Sequence, residues 1–174
     1  METDSLLFAN VKAAFDERNW MFREVSGREV VEAEFEAHHG RVRLHVEVIR
    51  HLNVVSVVAR PLGSLSTDTF PKACELLMRT NLELTVGNFE LDWDRGVVHF
   101  RASNIFPCPG SRDCREVVGS LVRMGIAETD RISAFVNAVE QAESSEKAAI
   151  DVTELMSRAD LLPPVEENDA PAGP

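Results

Sequence analysis

The sequence predicts an α+β fold: a two-layer sandwich whose antiparallel sheet, a four-strand meander plus a hairpin, carries helices packed on one face. Three observations support this. Short runs of alternating apolar and polar residues follow one another through the first two thirds of the chain. Turns of only a few residues join most of these runs, which suits antiparallel neighbours and leaves no room for crossover helices. Between and around them lie segments whose apolar residues recur at three- and four-residue spacing, the mark of amphipathic helices.

Residues 5–18 read as the first helix, with Leu7, Phe8, Val11, Ala14 and Phe15 along one stripe. Runs at 20–25 and 29–37 flank Gly27-Arg28, a hairpin turn. Counting back from it sets Trp20 opposite Phe35, Phe22 opposite Ala33 and Arg23 opposite Glu32. The second run alternates Val31, Ala33, Phe35 and Ala37 with Glu32, Glu34 and Glu36. After a turn at His38-His39-Gly40-Arg41, residues Val42, Leu44, Val46 and Val48 continue the core face. That count sets Glu36 opposite Arg43, Glu34 opposite His45 and Glu32 opposite Glu47. A fourth strand at 54–60 points Val55, Val57 and Ala59 inward.

Residues 67–82 form the next helix, with Pro71 in its first turn and Phe70, Ala73, Cys74 and Leu77 on its buried stripe. The stretch NLELTVGNFELDWDRGVVHF then makes a hairpin on an Arg95-Gly96 loop. Trp93 pairs with Val98, Leu91 with Phe100 and Phe89 with Ala102, while Asp92 meets His99 and Glu90 meets Arg101. Pro107, Pro109 and Gly110 break the chain, and Ser111 is the N-cap of a long helix over 112–141, with Gly125 marking a bend. Residues 1–143 are thus one domain. Residues 144–174 are a C-terminal extension: a short helix at 152–159, then PPVEENDAPAGP, which reads by composition as a disordered acidic tail.

The formal net charge of −11 argues against nucleic-acid and anionic-membrane partners, which require clustered Lys and Arg. The N-terminus has no basic segment followed by an apolar run, and no stretch approaches the roughly 20 apolar residues that span a bilayer. Three cysteines, Cys74, Cys108 and Cys114, are too few and odd in number for a disulfide framework. A cytoplasmic protein is expected.

Candidate chemistry is sparse. His38, His39, His45, His51 and His99 lack the short ligand spacings of metal sites, so no metal is expected. Cys114, at a helix start, is positioned for a lowered thiol pKa, but its spacing from Cys108 fits neither a redox pair nor a zinc knuckle. There is no phosphate-binding glycine loop and no nucleophile elbow. Glu32, Glu34, Glu36, Asp92 and Asp94 alternate with core residues as the solvent side of strands. The chain is therefore expected to be neither an enzyme nor a cofactor binder. One irregularity stands out on the outward sheet face, where Val30, Ile49, Val54 and Val58 would form an apolar patch. Such a patch is either a protein interface or is covered by the C-terminal region.

Residues 73–101 resemble the signature region of the YbjN family, named as bacterial sensory transduction regulators. The features are Asn81 at a helix end, then Gly87, Phe89, Leu91 and Asp92, then Gly96, Val98 and Phe100. That family's fold is similar to that of class I type III secretion chaperones, small acidic proteins that dimerise and bind unfolded segments of partners. The resemblance implies a binding role and supplies no catalytic residues. The expectation is a non-enzymatic, chaperone-like or regulatory protein, homodimeric, with an unnamed protein partner. The alternative is a sensor holding a small molecule between sheet and helices, near the histidines.

Overall fold

The computed structural model describes residues 4–144 and 151–161; the acidic run expected to be a disordered tail lies outside them. Ser5 opens the first helix, α1 (Leu6–Asp16), by accepting the backbone N–H of Phe8 at 3.1 Å. Six strands follow: β1 (Arg23–Glu24), β2 (Val30–Glu36), β3 (Arg41–Ile49), β4 (Val54–Pro61), β5 (Asn88–Asp92) and β6 (Val97–Ile105). They make one antiparallel sheet in the order β1-β2-β3-β4-β6-β5. Between β4 and β5 runs α2 (Phe70–Glu83), with Pro71 in its first turn, where no intrahelical donor is lost. After β6 comes α3 (Asp113–Ser144), and α4 (Val152–Met156) follows. No described helix is long and apolar enough to cross a membrane.

The inward face of every strand from β2 to β6 joins one core with α1, α2, α3 and α4. Val31, Val42, Leu44, Val46, Val55, Val57, Ala59 and Phe100 are fully buried there. Val152 and Leu155 belong to the same core, so α4 is packed into the domain. Gly125, expected to mark a bend, lies inside a continuous helix. A Cβ there would stand 3.3 Å from the Ala59 Cβ, so the glycine serves close approach of α3 to β4.

The first hairpin keeps its expected register, Arg23 opposite Glu32, and Trp20 packs edge-on against Phe35 at 5.7 Å. Two other registers differ from expectation by two residues. β2 and β3 pair Glu36 with Arg41, Glu34 with Arg43, Glu32 with His45 and Val30 with Glu47. The turn is the tight pair His38-His39, closed by Ala37 N–H donating to Gly40 O at 2.7 Å. This register separates Glu32 from Glu47 and gives each glutamate a basic partner, whereas the expected one set two carboxylates face to face. In the β5–β6 hairpin, Phe89 faces Phe100 and Leu91 faces Val98 around a four-residue loop. The Asp92 carboxylate accepts the N–H groups of Asp94 and Arg95, both at 3.1 Å, and fixes that loop. Trp93, expected in the strand, is thereby expelled into the loop and packs on Phe70 at 5.0 Å.

The Asn81 of the signature region has a definite task. Its side chain accepts the Phe89 N–H at 2.7 Å and donates to the Phe89 carbonyl at 3.0 Å, standing in for a neighbouring strand at the β5 edge. Replacing Asn81 with Ala strands both backbone groups, and the stability loss is expected to be about 2 kcal/mol. Urea denaturation of the two proteins measures it, and an unchanged midpoint contradicts the role.

Candidate functional site

Among the described residues no helix packs on the second face of the sheet, although Val30, Ser56 and Val97 are buried there by their neighbours. The helices contribute their apolar stripes to the opposite side, and the outward residues of the strands are absent from the core. The registers arrange this open face in rows that run across the strands. At one end Ile49, Val54 and Ile105 stand in line. Further along β4 come Glu47, Ser56 and Ser103, with Ser103 Oγ donating to Ser56 Oγ at 3.0 Å. The next row is Glu32, His45, Val58, Arg101 and Asn88. Beyond it Glu34 faces Arg43 and Arg43 faces Arg60, while on the other side of β4 His99 faces Glu90.

The four apolar residues expected to form one patch do not do so. Val30 is 0% exposed and offers a partner no surface. The shifted register places it opposite Glu47 rather than beside Ile49, and Glu47 is tied to Arg28 at 2.7 Å. Val58 is half-buried and stands apart between His45 and Arg101. Ile49 and Val54 remain together and gain Ile105, which is 66% exposed. Ile105 was not among the residues expected on this face, although it continues the same outward alternation as Ser103 and Arg101.

Around Val58 the open face is a cleft of about 460 Å³, lined among others by Arg43, His45, Arg60, His99 and Arg101. Most of its charges are matched. Glu90 accepts Arg101 through both oxygens at 2.9 and 3.1 Å, which with burial opposing leaves its carboxyl below the ordinary range. Glu34 accepts from Arg41 and Arg43, and Glu32 is paired with Arg23 and lies 3.4 Å from the His45 ring. Arg60 differs: among the described residues no carboxylate pairs with it, and it stands directly opposite Arg43.

The remaining candidates are accounted for locally. The His38 and His39 rings meet edge-on at 4.6 Å. The His39 backbone N–H donates to Asp130 Oδ1 at 2.6 Å, and its ring Nδ1 lies 3.2 Å from Oδ2. His51 is exposed in the turn after β3. Among the described residues no three His, Cys, Asp or Glu side chains converge as a metal site. Cys114 is buried and its thiol donates to the Cys108 carbonyl at 3.3 Å. Burial pushes its pKa up, the reverse of the shift expected from a helix start. Cys108 is exposed, Cys74 is half-buried, and all three thiols are free.

Compared with known proteins, the sequence matches no protein-family model. No curated protein matches it either. Among solved structures it is similar to the entity described as "YbjN, a putative transcription regulator from E. coli". The TM-score is 0.50 at 11% identity, over 79% of this chain and 91% of that one. At that identity the likeness is one of fold.

Burial, and then the facing Arg60, hold the His99 imidazole below its ordinary 6.5; Asp92 and Glu90 pull it up and Arg101 adds to the lowering. A His whose folded pKa is depressed contributes stability above pH 6.5 that is lost as pH falls through the folded value. Replacing Arg60 with Gln is therefore expected to raise the His99 pKa and to lessen that acid loss. Titration of the ring protons by NMR reads the shift, and an unmoved pKa contradicts the coupling.

Proposed function

We propose that this chain is a non-enzymatic, cytoplasmic regulator that acts by protein–protein contact, chaperone-like in presenting a sheet face, and that it works as a homodimer. The observation that carries the reading is the open face itself. A six-stranded sheet has one side buried by helices and the other uncovered among the described residues, ending in the apolar row Ile49, Val54 and Ile105. The fold likeness to a protein described as a regulator agrees with it. Neither nucleic acid nor membrane is the proposed partner, given the net charge of −11.

Light scattering after size exclusion tests the assembly. The wild-type chain is expected at twice the monomer mass. Ile49→Lys combined with Ile105→Lys is expected to give monomer with an unchanged melting temperature, since both side chains lie outside the core. Wild-type mass in the double variant removes this row as the interface.

A second reading has its own observation. A cavity of about 260 Å³ lies between the ends of β3 and β4 and the C-terminal half of α3. Val42, Val98 and Val136 line it together with His39, Asp130 and Glu140. A cavity lined about equally by apolar and polar groups suits a polar small molecule between sheet and helix. Thermal melting against a metabolite panel tests this, because a ligand specific to the folded state raises the midpoint by mass action. A panel without any shift counts against the sensor.

A further inference from the structure

We infer that the cleft around Arg60 binds an extended acidic segment of a partner protein, with Asp or Glu at alternate positions. The inference rests on reading the open face as a binding surface, and deepens it by naming the chemistry recognised.

The starting point is a disfavoured arrangement. Arg43 and Arg60 occupy directly opposed positions on antiparallel strands, where like charges destabilise the pair. Arg43 is relieved by Glu34 at 3.1 Å, whereas Arg60 has no carboxylate partner among the described residues. Arg101, His45 and His99 surround the same spot. The cleft's own Glu32 and Glu47 are already engaged, by Arg23 and by Arg28. A chain with a net charge of −11 thus concentrates guanidinium groups at the middle of the sheet face that no described helix covers. An incoming carboxylate would satisfy Arg60 and cancel its repulsion with Arg43, using the planar fork that arginine offers to carboxylates.

The spacing favours a segment over a lone small anion. Arg43, Arg60 and Arg101 lie on three adjacent strands, β3, β4 and β6, about 5 Å from one strand to the next. Arg101 stands opposite Val58 and so lies diagonal to Arg60, roughly 7–8 Å away. Carboxylates on alternate residues of an extended chain, about 7 Å apart on one side, reach Arg60 and Arg101 together, which no single carboxylate spans. The apolar row Ile49, Val54 and Ile105 lies six residues up β4, about 20 Å away, and stays free for self-association.

Fluorescence anisotropy with a labelled peptide of alternating Glu and Ser tests this on the full chain. Binding is expected in the micromolar range, weakened by added salt. Arg60→Gln is expected to weaken it about tenfold, the loss of one charge-assisted contact. The same variant should melt no lower than wild type, because Arg60 makes no ion pair among the described residues and opposes Arg43. Arg79→Gln, on α2 and paired with Glu75, should leave binding unchanged.

No binding to wild type, equal binding by Arg60→Gln, or equal losses in both variants overturns the site. Displacement of the peptide by inorganic phosphate at equal concentration makes it a phosphate site and overturns the acidic-segment assignment. Stronger binding after Glu166→Gln, Glu167→Gln and Asp169→Asn would assign the cleft to the chain's own acidic run and overturn the partner assignment. The dimer measurement is separate: peptide failure with a dimer disrupted at Ile49 and Ile105 sinks this inference and leaves the binding face standing.

Discussion

The approach of α3 to β4 is the contact on which the rest of the molecule depends. Gly125 faces Ala59, Val57 and Leu44, and the absence of a side chain lets a 32-residue helix lie directly on the middle of the sheet. Small residues at the crossing bring the backbones close, and the larger Val118, Val122, Ile132 and Val139 fill the space on either side. With α3 seated, α1 and α2 pack against it, and α4 packs on α2. Every described helix is then committed to one side. The open face follows directly from where the apolar stripes fall.

This division separates stability from recognition. The helix-covered side holds the large buried side chains, including Phe8, Phe15, Phe100 and Leu44. The open side holds a lattice of ion pairs between neighbouring strands, such as Arg101 with Glu90 and Arg43 with Glu34. Exposed pairs of this kind contribute roughly 0–1 kcal/mol each, so they set the pattern of charge more than they hold the sheet together. A face that bears little of the folding free energy can tolerate a disfavoured pair such as Arg43 opposite Arg60.

The alternation of the strands made the faces legible, because a residue's side of the sheet depends only on its parity along the strand. Val42, Leu44, Val46 and Val48 are inward as their pattern requires, and Ser5 and Ser111 act at the two helix starts where their side chains suit a cap. Parity cannot tell a register from one shifted by two, since both keep every residue on its face. Two hairpins differ from the expected register in that way. The difference matters for the site, because partners across strands decide which residues meet. The observed register sets Val30 opposite Glu47 instead of Ile49, and the pairing of β3 with β4 sets Arg43 opposite Arg60. The turn chemistry held the missing information: Asp92 folds over its own loop, and Gly40 permits the tight His38-His39 turn.

By itself, then, the sequence determined the α+β class, the order of elements and the inward and outward faces. These follow from local periodicity and composition, which each segment carries alone. Only the tertiary structure decided that β6 inserts between β4 and β5, that every described helix lies on one side of the sheet, and that Ile105 joins Ile49 and Val54. It also decided that the Cys114 thiol is buried and that Arg60 stands among like charges, with no carboxylate partner among the described residues. Each of these is a relation between residues distant in the chain, and such relations are set by how packed surfaces fit together rather than by any one segment's pattern.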